Sequence, residues 1–112
     1  FDAVEFARRN CDVIDPGHRI RIEQRDIFSI VDLRGKTIVC NPPYGIRMGK
    51  TIDLNEFYQK LGDFFKQRCT GSTAYVYFGE REYIKKVGLK PSWKKELSNG
   101  GLDGRLVKYD LY

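Results

Sequence analysis

The chain is poor in the residues that build metal centres and disulfide frameworks. It has one histidine, His18, and three widely spaced cysteines, Cys11, Cys40 and Cys69. No Cys-x-x-Cys pair or Cys/His cluster occurs, so the spacing of a zinc site is missing and no metal is expected. An odd, scattered set of thiols argues against disulfides and for buried or half-buried thiols in a reducing compartment, here the cytoplasm. A thiol nucleophile needs a base beside it, and no local pattern pairs one with His18. No apolar run approaches the ~20 residues of a membrane span. A secretory signal, internal repeats and low-complexity segments are also missing. An initiator Met is absent too, and the chain opens inside a helical pattern. It therefore reads as a piece of a longer protein.

What is present fits one small soluble domain, residues 1–112, too short for two cores. The 41% hydrophobic and 31% charged content is that of a folded protein. Twenty Lys and Arg against fifteen Asp and Glu leave a net charge of +5. That balance suits a polyanionic partner, although many ordinary soluble domains share it.

Local patterns give the element order. Residues 2–11 are helix formers with Ala3, Phe6, Ala7 and Asn10 on one stripe. Asp15-Pro16-Gly17 is a turn. Ile20–Gln24 alternates apolar and polar residues and is expected to be a short strand ending near Asp26. After a turn at Asp32–Lys36 comes Thr37–Cys40, apolar as a strand covered on both faces. Asp53, with Glu56 three residues on, should cap a helix whose inner stripe is Leu54, Phe57, Tyr58, Leu61, Phe64 and Phe65. Ser72–Phe78 reads as a strand and Glu80–Val87 as a short helix closed by Gly88. Trp93–Ser98 and Arg105–Tyr112 flank turn residues and read as a hairpin. Alternating strands and helices imply a mostly parallel sheet covered by helices, with an antiparallel edge.

One stretch is hard to explain by folding alone. Asn41-Pro42-Pro43-Tyr44-Gly45 follows directly on the strand Thr37–Cys40. Neither proline can donate a hydrogen bond, so the strand stops there, and both prolines stiffen the backbone. The product is a rigid rim presenting an amide, backbone carbonyls and a ring, suited to a flat polar ligand. In open α/β sheets ligands bind beyond the carboxyl ends of strands, where both this rim and Asp26 sit.

The rim resembles the catalytic motif of the amino-methyltransferases, which use S-adenosylmethionine to methylate exocyclic nitrogens of adenine or guanine. Gly45-Ile46-Arg47-Met48-Gly49, Leu61-Gly62-Asp63 and the hairpin from Asn99-Gly100 to Leu106-Val107-Lys108-Tyr109 extend the likeness to one branch. That branch is the RNA guanine N2-methyltransferases, whose catalytic domain usually follows an RNA-binding THUMP domain. The resemblance covers essentially the whole chain, matched to the last two-thirds of the catalytic domain. It implies a partial Rossmann-like class I methyltransferase fold without its N-terminal strands. It also implies methyl transfer to a guanine N2 amine in ribosomal or transfer RNA.

An exocyclic amine is a poor nucleophile because its lone pair is delocalised into the ring. Acceptors aimed at its N–H bonds turn that lone pair toward the methyl donor. Asn41 and the Pro42 carbonyl are suitable acceptors, and Tyr44 can stack on an extruded base. Pro43 and Gly45 complete the base-binding rim, and Arg47 and Lys50 flank it as phosphate contacts. By resemblance, Asp26 binds the cofactor's adenine amino group, Ile27 packs beside that ring, and Asn41 adjoins it. The alternative for Asp26 is a helix-turn cap or a partner for Arg25. The alternative for the rim is a strand-ending turn with an incidentally exposed tyrosine.

Two features of the family are not in these residues: the glycine-rich loop that wraps the cofactor's methionine, and the second-strand carboxylate for its ribose. The S-adenosylmethionine site is therefore incomplete, and weak or no cofactor binding is expected of these 112 residues alone. An apolar sheet edge should also be exposed, a liability for self-association. Two other functions fit the rim. One is N6-adenine methylation of DNA or RNA, and the other is a noncatalytic RNA-binding module.

Overall fold

A computed structural model describes residues 2–14, 19–42, 53–98, 100–101 and 103–112. The chain divides into two compact units, residues 1–30 and 31–112.

In the first unit the expected helix is present as α1, Asp2–Asp12. Its half-buried positions are Val4, Ala7 and Cys11, one helical face, while Ala3, Asn10 and Phe6 (57% exposed) point outward. The inner face is thus turned from the stripe expected from the sequence. Arg9 pairs with Glu5 at 3.3 Å, a solvent-exposed i,i+4 contact of small energetic weight. The Arg8 guanidinium donates to the Ile22 carbonyl at 3.3 Å. Ile20–Gln24 forms no strand. Alternation specifies two faces, but a strand also needs a ladder partner, and none pairs with it among the described residues. The turn at Asp15-Pro16-Gly17 and His18 lie outside the described residues.

In the second unit a mixed four-stranded sheet carries the chain. Strands β1 (Thr37–Cys40), β2 (Thr73–Phe78), β3 (Trp93–Glu96) and β4 (Arg105–Asp110) lie in the order β1-β2-β4-β3. Strand β1 runs parallel to β2, with Thr37 opposite Thr73 and Cys40 opposite Val76. Strand β4 is antiparallel to both β2 and β3, which gives the expected hairpin. The parallel connection is made by α2, Leu54–Arg68. Asp53 caps it by accepting from the Glu56 amide at 3.1 Å. The Glu56 carboxylate pairs with Lys60 at 3.2 Å.

The buried side of α2 is Leu54, Tyr58, Leu61, Phe64 and Phe65, with Phe57 only half-buried. Tyr58 stacks between Phe78 of β2 (5.4 Å between centroids) and Tyr83 (5.1 Å), and Phe65 meets Tyr109 of β4 at 6.2 Å. One sheet face, with Ala74, Val76, Phe78, Val107 and Tyr109 all buried, therefore packs on α2. Tyr75 lies on the other face, half-buried beside Trp93 at 6.0 Å. After β2 the expected short helix is a 3-10 turn, Arg81–Tyr83, running into the single turn α3, Ile84–Val87. Gly88 ends it at φ +72°, a left-handed conformation that other residues adopt at a cost.

Ser72 is a buried polar residue at the start of β2. Its hydroxyl donates to the Leu33 carbonyl at 2.5 Å and accepts from the Lys36 amide at 2.9 Å. The Thr73 amide returns a bond to the Lys36 carbonyl at 2.9 Å. Gly35, at φ +67°, makes the tight turn that brings these groups together.

Candidate target-base site

Strand β1 pairs with β2 as far as Cys40 and then delivers Asn41 and Pro42 at its carboxyl end. Pro42 is buried and Asn41 is exposed, so the proline anchors the strand end while the amide side chain faces outward. Beside them opens a shallow cavity of about 530 Å³ lined by Val39, Cys40, Asn41, Tyr77, Leu97, Ser98 and Leu106. Its size is that of a small-ligand pocket. Its chemistry is an apolar wall with a few polar groups, which suits a heterocycle.

The far wall is held in place by hydrogen bonds. The Tyr77 hydroxyl donates to the Leu97 carbonyl at 2.9 Å, and the Leu97 amide donates to the Gly104 carbonyl at 3.0 Å. Gly104 has no room for a side chain, since a Cβ there would collide with the Tyr77 ring and hydroxyl.

Of the site residues singled out in the sequence, the structure brings Asn41 to this cavity, and Pro42, the next residue, is buried beside it. Pro43, Tyr44, Gly45, Arg47 and Lys50 lie outside the described residues. Tyr77 is buried (8% exposed) and also lines the cavity. Val39, Leu97, Ser98 and Leu106 were not foreseen as site residues. The available signal was alternation along Thr73–Phe78, which sets Tyr77 on the face opposite Ala74, Val76 and Phe78.

Asp26 belongs to the first unit. Its Oδ1 accepts from the Phe28 amide at 2.9 Å and caps the short 3-10 turn Ile27–Ser29, while Arg25 pairs with Glu23. Oδ2 keeps its acceptor capacity, with no partner among the described residues, and Ile27 is half-buried next to it. A carboxylate oxygen and an apolar side chain fit an aminopurine edge, so Asp26 and Ile27 suit the adenine end of a nucleoside cofactor. Among the described residues, no three His, Cys, Asp or Glu side chains cluster as metal ligands would. No helix among them is long and apolar enough to cross a membrane.

Among the described residues at the rim, the Cys40 thiol is strongly perturbed, pushed up to about 12 by burial. The thiol is therefore protonated at neutral pH and is no nucleophile. Its linkage to stability has a definite sign. Below pH 9 the folded and unfolded chains both hold the proton. Between pH 9 and about 12 only the unfolded chain releases it. Stability should therefore fall as pH rises through that window, by up to about 1.4 kcal/mol per pH unit for this group. Burial raises Cys69 and Tyr109 in the same direction. Urea midpoints measured at pH 8 and pH 10.5 should show the decline, and Cys40→Ser should make it shallower. An equal decline in Cys40→Ser would show that this thiol is not a cause.

The chain is similar to several known proteins. A proposed RNA methyltransferase of Synechocystis sp., slr0064, is 36% identical over 99% of this chain and 29% of its own length. The ribosomal RNA large subunit methyltransferase K/L of Syntrophotalea carbinolica is 31% identical over 97% of this chain and 16% of its own length. The chain thus spans less than a third of either relative. Among solved structures, SMU.472, a proposed methyltransferase in complex with SAH, superposes with a TM-score of 0.78 at 23% identity. That superposition covers 97% of this chain and 29% of SMU.472, and it shows a shared class I methyltransferase fold. Residues 2–108 match the model of the RMKL-like methyltransferase domains, and the chain belongs to that family.

Proposed function

We propose that this chain supplies the target-base side of an S-adenosylmethionine-dependent RNA methyltransferase that modifies the exocyclic N2 amine of a guanine in ribosomal or transfer RNA. The observation that carries the reading is the position of Asn41 at the carboxyl end of β1, in the lining of a cavity large enough to admit a purine. The relatives described as RNA and ribosomal RNA methyltransferases support RNA as the substrate. Residues 1–112 are taken as a single catalytic domain of a cytoplasmic protein.

In this reading the target base is flipped out of its stack into the Asn41 cavity. The Asn41 side-chain oxygen and the Pro42 carbonyl accept the two N–H bonds of the amine, which directs its lone pair out of the ring plane. Tyr44 stacks on the base, Pro43 and Gly45 shape the rim, and Arg47 and Lys50 hold neighbouring phosphates. S-adenosylmethionine, when bound, supplies the electrophilic methyl group. Asp26 and Ile27 would hold the adenine end of that cofactor, Asp26 as acceptor for its amino group and Ile27 as an apolar neighbour of the ring, and Asn41 would contribute to its binding. Strand β1 is outermost in the described sheet, with Val39 77% exposed, so self-association through this edge belongs to the same reading.

The test is product identity. The full-length protein is incubated with defined RNAs and S-adenosylmethionine, and the nucleosides are separated by mass spectrometry. N2-methylguanosine is expected. N6-methyladenosine would overturn the choice of base, and RNA binding without any methylation would favour a noncatalytic module.

A further inference from the structure

Leu97 and Ser98 line the Asn41 cavity from beyond the end of β3. They belong to no strand and are both exposed, Leu97 by 49%, so burial does little to hold this wall. Hydrogen bonds do it instead. The Leu97 amide donates to the Gly104 carbonyl at 3.0 Å, and the same carbonyl accepts from the Arg105 guanidinium at 2.9 Å. Those bonds tie the wall to its own hairpin. The Tyr77 hydroxyl, donating to the Leu97 carbonyl at 2.9 Å, ties it to β2.

Tyr77 also stands on the strand beside Asn41. Cys40 of β1 is level with Val76 of β2, and the next residues along these parallel strands are Asn41 and Tyr77. Neighbouring strands lie about 4.8 Å apart, a distance that a single heterocycle spans. Val39 is level with Tyr75, so Val39, Tyr75 and Tyr77 share the sheet face away from α2. Leu106, paired with Tyr77, extends that face to β4. A base held by Asn41 would thus lie over the Tyr77 ring, with the Leu97 wall beyond it. The phenol reaches Leu97 past Gly104, where any Cβ would collide with the ring and hydroxyl.

We propose that Tyr77 is a positioning residue of the methylation site, its hydroxyl holding the Leu97–Ser98 wall at the separation from Asn41 that the target base requires. This inference rests on the reading of the Asn41 cavity as the seat of that base. The wall contacts the base before and during methyl transfer alike. Loss of such uniform binding raises KM and leaves kcat nearly unchanged. A fault of folding alone would instead lower the active fraction, and with it kcat, at an unchanged KM.

The experiment measures methylation of a substrate RNA by the full-length protein and its variants. Tyr77→Phe keeps the ring and removes the tether. Its KM for RNA should rise about fivefold, the worth of one hydrogen bond, with kcat within about twofold of wild type. Leu97→Ala cuts back the wall at an exposed position and should raise KM in the same sense. In the double variant the two effects should add to less than their sum, because both act through one wall. Tyr75→Phe, on the same strand and face but outside the cavity lining, should leave both constants unchanged. A folded Tyr77→Phe with the wild-type KM, or full additivity in the double variant, would overturn the role of Tyr77 while leaving that of Asn41 intact. Should Tyr77→Phe fail to fold, an unchanged KM in Leu97→Ala would overturn it equally. A wild type that methylates no RNA would overturn the reading of the cavity, and the role of Tyr77 with it.

Discussion

Asn41→Ala in the full-length protein should lower kcat by at least ~10²-fold while leaving RNA affinity nearly unchanged. The size follows from what the side chain is asked to do. An oriented acceptor at a strand end positions the amine against the methyl donor, and loss of a single positioning or polar contact of this kind costs about two orders of magnitude. The specificity of the effect follows from exposure. Asn41 faces outward, while its neighbour Pro42 is buried, so removing the amide takes nothing from the core. The change in stability should stay within about 1.5 kcal/mol, the net worth of one hydrogen bond, well short of unfolding the domain. Single-turnover rates, RNA titration and thermal unfolding on the same variant check all three points. Retained turnover with lost RNA binding would show that Asn41 anchors the substrate rather than orienting the amine.

Gly62→Ala should destabilise the fold by at least ~2 kcal/mol, against the general rule that alanine stabilises a helix relative to glycine by about 0.5–1 kcal/mol. Gly62 is buried on α2, and a Cβ there would collide with the carbonyl oxygen of Val87, the last residue of α3. The obstacle is backbone, which cannot swing aside as a flexible side chain would. Either α3 moves off α2 or the helix distorts, and overpacking of this sort costs about 1–3 kcal/mol or more. The loss is a large part of the 5–15 kcal/mol that keeps a domain folded. Thermal unfolding should show Tm lower by roughly 10 °C. A raised Tm would mean that α3 yields freely at this contact.

The two results also bear on how much was legible in the sequence. Asp53 could be read as a cap because capping is local, and the structure places its carboxylate on the Glu56 amide. Thr73–Phe78 was legible from its β-branched and aromatic run, and the hairpin from the turn residues around Gly100. Ile20–Gln24 was misread because alternation reports which way side chains point and says nothing of a pairing neighbour. The stripe on α1 was misplaced by about one position because Phe6 looked like a core residue and is 57% exposed. Asn41 and Pro42 stood out since two prolines at a strand end have a mechanical reason to be there. Leu97, Ser98 and Leu106 did not stand out, because they join the cavity only through the Tyr77 bond and the β2–β4 pairing, which connect residues far apart in the chain. Gly62 likewise gave no hint of its neighbour at Val87.

The buried hydroxyl of Ser72 has a consequence for the rim at the other end of the strand. Its partner Lys36 is 36 residues away, and closing a loop of that length costs about 3 kcal/mol before any strand contact repays it. The Ser72 bonds sit where that loop closes, so they fix the register in which β1 meets β2. Side chains alternate along a strand, and a slip of one residue would exchange its two faces. Val39 would turn toward α2, Cys40 away from it, and Asn41 would leave the cavity edge. A serine about 16 Å upstream of the rim thus decides which way the Asn41 amide points.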